Sequence, residues 1–256
     1  MATITGTQFN DVLVGKGTAR SPIDDYIYGL AGNDAIEGRY GNDTIEGGDG
    51  NDTIYGDTIN HNSVRGGADR IFGGKGDDTI YAGGGNDVIV ASEGTTADRD
   101  IVFGGHGNDW MFTGNGNDFL SGGVGNDTLR AGGGDDTLVG NTGHDTLVGH
   151  SGNDLLIGYH TVGTQIRDID TLSGGSGADI FALGNSTGIA YLGIGYAVIT
   201  DFEKNVDDIR VHGNLFEYTL GHTTSGGKAQ TNIFKGTDLL AVVQNVHVEY
   251  SDLVGA

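Results

Sequence analysis

Aspartate recurs through this 256-residue chain at a fixed spacing. Seventeen aspartates stand two positions before a hydrophobic residue, and twelve of the sixteen intervals between them are nine residues long. Carboxylates repeated in this way can hold hard cations, because Ca²⁺ and Mg²⁺ take oxygen ligands. The chain has no cysteine, so thiolate metal sites and disulfides are excluded. The aspartates of the series are Asp11, Asp25, Asp34, Asp43, Asp52, Asp69, Asp78, Asp87, Asp100, Asp109, Asp118, Asp127, Asp136, Asp145, Asp154, Asp170 and Asp179.

The repeating unit predicts the element that positions each aspartate. Representative units read GGKGDDTIY at 73–81 and GGVGNDTLR at 122–130. Six residues of the unit are turn-like and rich in glycine, and three are strand-like, with a large apolar residue two positions after the aspartate. A three-residue strand is not stable alone, so the units must stack. We therefore predict an all-β fold, a parallel β-roll with two sheets and 18 residues per coil.

Stacking creates an electrostatic problem that a cation solves. Aspartates 18 residues apart would lie about 4.8 Å apart on the same edge, where bare carboxylates repel one another. The chain carries 35 acidic and 13 basic residues, a net charge of −22, which corresponds to roughly 11 divalent ions. Calcium suits carboxylate and carbonyl oxygens better than zinc or magnesium. The same negative charge disfavours nucleic acid or an anionic membrane as partners.

The units resemble the nonapeptide G-G-x-G-x-D-x-U-x of the RTX, or hemolysin-type calcium-binding, repeat proteins. The resemblance covers about residues 20 to 183. It implies a parallel β-roll with calcium between the turns. It also implies that each ion is bound by the aspartate and the second and fourth carbonyls of one turn. The aspartate and the first and third carbonyls of the turn two units on complete the site.

These roles transfer to the matching positions of this chain. One ion is expected between the Asp109 turn, with Gly105 and Gly107, and the Asp127 turn, with Gly122 and Val124. The predicted metal ligands are the sixteen aspartates from Asp25 to Asp179 and backbone groups of the turns. The turn residues are Gly32, Gly41, Gly50, Gly76, Gly85, Gly105, Gly107, Gly114, Gly116, Gly122, Gly123, Val124, Gly125, Ala131, Gly132, Gly133, Gly134, Gly143, Gly152 and Gly177.

Departures from the repeat limit the expected number of ions. The fourth-position glycine is missing before Asp11, Asp25, Asp100 and Asp170, which all begin a run of units. Six aspartate pairs 18 residues apart have intact turns on both sides, and we expect about 6 to 12 calcium ions in all. At the second position, glycine is replaced by Leu30, Arg39 and His150, which puts the local turn geometry in question.

Three insertions interrupt the period, at 56–66, 91–99 and 158–169. They are polar and contain His61, Arg65, His160 and Arg167. We expect them to loop out from one edge of the roll as tolerated surface insertions. Binding of a partner by these loops is the alternative.

The period ends after Phe181, where a second kind of structure begins. A solenoid end exposes apolar residues and strand edges, so we predict a β cap. Residues 198–211, VITDFEKNVDDIRV, resemble the segment that follows the repeats in this family, and 231–246 resemble its terminal hairpin. Strands are predicted at 190–202, 208–212, 215–220, 231–234 and 239–248. The predicted regions are an N-terminal cap (1–20), the roll (21–183) and a C-terminal capping and secretion-signal region (184–256).

The leading functional hypothesis is a secreted, non-enzymatic calcium-binding protein that folds when it meets calcium. The opening residues MATITGTQFN lack the basic and apolar blocks of a cleavable signal peptide, so we expect no cleaved N-terminal signal. The family resemblance implies type I secretion from bacteria through an uncleaved C-terminal signal. No catalytic residue is predicted: GNSTG at 184–188 matches a nucleophile elbow, but nearby glycines oppose the required helix. The alternatives are a calcium-dependent module that binds extracellular polysaccharide or a cell surface, and an accessory module of a secreted polymer-active enzyme.

Overall fold

A computed structural model describes residues 1–58, 66–92, 96–159, 168–185, 188–189 and 195–255. The strands, numbered in chain order, are β1 (Ala2–Thr5), β2 (Val12–Val14), β3 (Asp25–Ala31), β4 (Ala35–Glu37), β5 (Thr44–Asp49), β6 (Thr53–Tyr55), β7 (Arg70–Lys75), β8 (Thr79–Gly84), β9 (Val88–Ser92), β10 (Ile101–His106), β11 (Trp110–Asn115), β12 (Phe119–Val124), β13 (Thr128–Gly133), β14 (Thr137–Thr142), β15 (Thr146–Ser151), β16 (Leu155–Tyr159), β17 (Ile169–Ser176), β18 (Ile180–Ala182), β19 (Gly184–Asn185), β20 (Gly188–Ile189), β21 (Tyr196–Ile199), β22 (Asp208–Val211), β23 (Tyr218–Ser225), β24 (Lys228–Lys235), β25 (Asp238–Gln244) and β26 (Leu253–Gly255).

Successive strands alternate between two parallel sheets. Sheet one contains β1 and the odd-numbered strands to β17, followed by β21, β25, β24 and β23. Sheet two contains the even-numbered strands from β2 to β18, followed by β22 and β26. One coil therefore contributes one strand to each sheet, which confirms the predicted parallel β-roll. Among the described residues, no helix is long and apolar enough to cross a membrane.

A single row of apolar side chains fills the space between the sheets. The hydrophobic residue two positions after each repeat aspartate is fully or almost fully buried, as with Ile45, Leu120 and Leu147. The strands of regular coils are six residues long rather than three, as in β12 and β13. They extend into the glycines of the next unit because these pair in register with the adjacent coil, as Gly105 does with Gly123.

The insertions fall at both edges of the roll. Segments 56–66 and 158–169 follow strands of sheet two, whereas 91–99 follows a strand of sheet one. The expectation that they share one edge was wrong, since the ninefold period does not reveal which half of a coil an insertion interrupts. His61, Arg65, His160 and Arg167 lie outside the described residues, as does Ser186.

The C-terminal region closes one end of the roll. β21 and β22 each add a parallel strand, and β23, β24 and β25 form an antiparallel meander on sheet one. The predicted hairpin within 231–246 is confirmed by the β24–β25 pair. The strand predicted at 215–220 was wrong at its start: Leu215–Glu217 is a 3₁₀ helix, with Asn214 accepting the Phe216 N–H at its N-cap. Of the strand predicted at 190–202, only 196–199 is a strand within the described residues.

Four residues at the second position of the repeat occupy the left-handed region. Leu30, Arg39, Asn141 and His150 have φ of 84°, 79°, 75° and 81°. Glycine at the same position also has a positive φ, which is 113° in Gly123. The turn therefore keeps its shape without glycine, and the side chain bears a steric cost of about 1 kcal/mol.

We expect His150→Gly to stabilise the protein by about 1 kcal/mol because it removes this strain from an exposed position. Thermal unfolding in saturating calcium should show a Tm increase of about 2–4 °C. Thr142→Gly is the matched control, because Thr142 lies one position further along a turn and is not left-handed. Equal Tm shifts for both variants would contradict the strain argument.

Candidate metal centre

The repeat aspartates form two ladders, one along each edge of the roll. After the first aspartate of each ladder, the Oδ1 atom of each aspartate accepts a hydrogen bond from the backbone N–H of the aspartate one coil earlier, as Asp127 does from Asp109 at 2.8 Å. The first edge contains Asp25, Asp43, Asp69, Asp87, Asp109, Asp127, Asp145 and Asp170. The second edge contains Asp11, Asp34, Asp52, Asp78, Asp100, Asp118, Asp136, Asp154, Asp179 and Asp207.

The second carboxylate oxygen is left without a partner along most of both ladders. Within the described part of the chain, fourteen Oδ2 atoms are buried and accept no hydrogen bond. They belong to Asp34, Asp43, Asp52, Asp69, Asp78, Asp87, Asp100, Asp109, Asp118, Asp127, Asp136, Asp145, Asp154 and Asp179. A buried, ionised carboxylate without a partner is costly, so this arrangement favours either protonation or a counter-ion.

The turn glycines leave room for these oxygens. A Cβ atom on Gly122 would fall on Asp127 Oδ2 and 2.8 Å from the Gly140 carbonyl oxygen. Cβ atoms on Gly123 and Gly125 would fall on the carbonyl oxygens of Gly105 and Gly107. Each glycine therefore faces an oxygen, and carboxylate and carbonyl oxygens surround the corner, which is the donor set that calcium prefers.

The carbonyl groups predicted as ligands belong to the turns at these corners, and their role as ligands stays a prediction. Some already accept a backbone hydrogen bond, as Val124 does from the Gly107 N–H at 2.7 Å. A carbonyl oxygen has two lone pairs and can accept a second interaction. Among the described residues, no three acidic or imidazole side chains converge tightly enough to hold an ion alone, so carbonyls must complete any site.

The units that lack the fourth-position glycine still place their aspartates in the ladders. Asp100 accepts the Asp78 N–H at 2.9 Å and donates its own N–H to Asp118 at 2.8 Å. Asp170 accepts the Asp145 N–H at 2.9 Å. The stacking register therefore survives the interruptions.

Protein groups occupy the second oxygen at the ladder ends. Asp25 Oδ2 accepts the Lys16 N–H at 2.6 Å, and Asp207 Oδ2 accepts the Glu203 N–H at 2.7 Å. Sequence reasoning missed Asp207, although it precedes the buried Ile209 by two positions, because no glycine turn comes before it. It also missed Asp201, which accepts hydrogen bonds from Ser173, Gly174 and Gly175.

Residues at the fifth position of the unit form further rows of hydrogen bonds, which are exposed and run beside the two buried aspartate ladders. The side-chain oxygen at the fifth position accepts the N–H of the fifth residue one coil later, as Asn108 does from Asn126 at 2.7 Å. Asn126 in turn accepts the His144 N–H, and Asp135 accepts the Asn153 N–H. The frequent N-D dipeptide is the sequence signal for these exposed hydrogen bonds, and the spacing of the aspartates does not reveal them.

Burial raises the pKa of the ladder carboxyls. Desolvation raises the pKa of Asp69 to about 9 and that of Asp87, Asp100 and Asp136 to about 8, although a backbone N–H opposes each shift. Desolvation likewise raises the pKa of Asp127 to about 7. Neighbouring aspartates of the same ladder add to the effect. The ladder carboxyls therefore bind protons more readily than free carboxylates do.

Comparison with protein-family models identifies the repeats of this chain. The RTX calcium-binding nonapeptide repeat (4 copies) matches residues 28–58, 65–96, 95–120, 121–156 and 167–187, more than half of the chain. A solution structure of the AlgE6R3 subunit from the Azotobacter vinelandii mannuronan C5-epimerase is 27% identical, with a TM-score of 0.37, and the match covers 52% of this chain and 80% of that chain. No curated protein matches the chain. The stacked turns and the repeat match together establish that this chain belongs to the family of RTX calcium-binding nonapeptide repeat proteins.

Proposed function

We propose that this chain is a non-enzymatic calcium-binding β-roll whose ions lie between stacked turns along both edges and drive its folding. The observation that supports this most strongly is the set of fourteen buried Oδ2 atoms in register, each without a hydrogen-bond donor in the described part of the chain. The ligands would be the ladder aspartates and the turn carbonyls predicted from the repeat. A divalent ion would supply the counter-charge that the protein itself lacks there.

Calcium binding by several such sites is large enough to control folding. A site at 100-fold excess of ligand over Kd adds about 2.7 kcal/mol to folding, and a typical domain is stable by about 5–15 kcal/mol. A few sites of modest affinity therefore exceed the whole stability of an ordinary domain. We propose that the chain is exported unfolded from a low-calcium cytosol and folds outside the cell, with its C-terminal region acting in type I secretion.

An adhesion role is the second candidate, and one groove favours it. An open groove of about 490 Å³ on sheet two is lined by the aromatic residues Tyr55, Tyr81 and Phe103, and its polar lining residues include Ser121 and Thr142. Its aromatic rings stack on one another, with ring centroids 5.1 Å apart for Tyr55 and Tyr81 and 5.0 Å apart for Tyr81 and Phe103. A glycan array probed with and without calcium would detect binding, and Phe103→Ala should abolish it if the groove is responsible.

We expect Asp127→Asn to raise the calcium concentration needed for folding about tenfold, because it removes one charge from the two sites that share this rung. The measurement is a calcium titration followed by far-UV circular dichroism and calorimetry. Asp135→Asn is the matched control: Asp135 is exposed at the fifth position, where the adjacent coils carry Asn117 and Asn153. A chain that is equally folded in chelator, or equal shifts for both variants, would contradict the proposal.

Protons should partly replace calcium in the calcium-free chain. In the unfolded chain, the ladder carboxyls have a pKa of about 3.9. In the folded chain, burial raises the pKa of Asp127 to about 7 and that of Asp136 to about 8. Their protonated forms thus favour the folded state at low pH, and this stability is lost as pH rises through the folded pKa values. We expect calcium-depleted protein to be more folded at pH 5 than at pH 8 by circular dichroism.

Calcium should reverse this pH dependence, because protons compete with the ion for the same oxygens. At limiting calcium, the folded fraction should therefore be larger at pH 8 than at pH 5. Calcium-depleted protein that is more folded at pH 8 would show that the buried carboxyls do not govern folding.

A further inference from the structure

Asp57 is a buried aspartate outside the repeat series. It follows Gly56 at the start of the first long insertion, in the turn that leads to Asp69, and only 3% of its surface is exposed. Asp57 stands at the second position of the turn. In a regular turn that position is occupied by glycine or by another residue with a left-handed backbone. The insertion therefore places an acidic side chain inside a corner of the first edge.

The carboxylate of Asp57 takes the place of a backbone carbonyl. In the regular turns that follow, a Cβ on the second-position Gly105 would fall on the second-position carbonyl oxygen of the preceding turn, that of Gly83. A Cβ on Gly83 would fall instead on Asp57 Oδ2. The same Oδ2 accepts the Gly84 N–H at 2.6 Å, and Oδ1 accepts the Gly67 N–H at 3.3 Å.

The rest of the corner is intact. Gly67 takes the fourth position of this turn. A Cβ on Gly85 would fall on the Gly67 carbonyl oxygen, just as a Cβ on Gly107 would fall on the Gly85 carbonyl oxygen. Asp69 and Asp87 are each 1% exposed, and among the described residues their Oδ2 atoms accept no hydrogen bond. Asp57 lies close enough to both for their charges to interact.

We propose that the Asp57 carboxylate replaces the missing second-position carbonyl as a ligand of the ion between the Asp69 turn and the Asp87 turn. Asp57 would then join Asp69 and Asp87 as a third carboxylate at this site. Because no three acidic side chains among the described residues converge tightly enough to hold an ion by themselves, the Gly67 carbonyl and other turn carbonyls would complete the coordination. This inference rests on the proposed function, since it assumes that ions bind between the turns. The additional charge should make this site bind divalent cations more tightly than a regular one.

Two variants separate ligation from a purely structural role. Asp57→Asn keeps an oxygen that can accept the Gly84 N–H but removes the charge, whereas Asp57→Ala removes both. Calcium bound per folded chain would be counted by equilibrium dialysis with elemental analysis, beside the wild type and the Asp135→Asn control. We expect both Asp57 variants to bind one calcium fewer at concentrations that saturate the wild type, and to recover it only at about tenfold higher calcium.

Other outcomes distinguish the hypotheses. If Asp57→Asn binds as many ions as the wild type with the same affinity, while Asp57→Ala only loses thermal stability, Asp57 is a hydrogen-bond acceptor and the inference is wrong. If the wild type itself binds no calcium, the proposed function fails instead.

A crystal structure of the wild-type protein grown with calcium gives an answer that does not depend on whether the variants fold. An ion 2.3–2.6 Å from an Asp57 carboxylate oxygen is expected. An ion bound between Asp69 and Asp87 but more than about 4 Å from Asp57 would overturn the inference, since that is beyond any coordination distance.

Discussion

The structure depends on one electrostatic constraint: carboxylates are buried in rows, and each has an oxygen that the protein does not satisfy. Backbone N–H groups satisfy Oδ1 along both ladders, so the chain fixes the position of every carboxylate. The remaining Oδ2 atoms raise the free energy of the folded state whenever they are ionised without a counter-ion. Burial of apolar surface carries no such charge, whereas the free energy of a buried carboxylate depends on whether a proton or a counter-ion neutralises it.

The glycines and the apolar row serve this constraint in different ways. Glycine at the first position leaves space for the carboxylate of its own turn, as Gly122 does for Asp127. Glycines at the second and fourth positions allow adjacent turns to approach within carbonyl contact. The narrow row of Ile, Leu, Val and Met between the sheets sets the register, but most strands of the roll contribute only one large side chain to it, with at most a small residue such as Ala82 or Ala131 beside it. Such a core is thin, and the edges must therefore contribute to cohesion.

Insertions change the length of a coil without changing its register. Aspartates linked along the ladders are 18 residues apart in regular coils but 22, 25 or 26 apart where segments are inserted, and the hydrogen bonds remain 2.7–2.9 Å long. Each insertion lies between two consecutive strands of the chain, and closing a longer loop costs little more entropy than closing a short one. Where the insertion displaces a turn carbonyl, as before Asp69, a side chain occupies its place.

The sequence by itself determined the solenoid, its 18-residue coil, the buried apolar row and the repeat aspartates, because each is a strictly periodic feature of residue type. Only the tertiary structure decided what depends on contacts between coils. It showed that Oδ1 is bonded and Oδ2 is not, that Leu30, Arg39 and His150 adopt the glycine conformation, and that the insertions leave from both edges. It also brought Asp57 and Asp207 to the ladders. Neither residue follows the ninefold period of intact turns, so their positions are set by the neighbouring coil rather than by their own sequence.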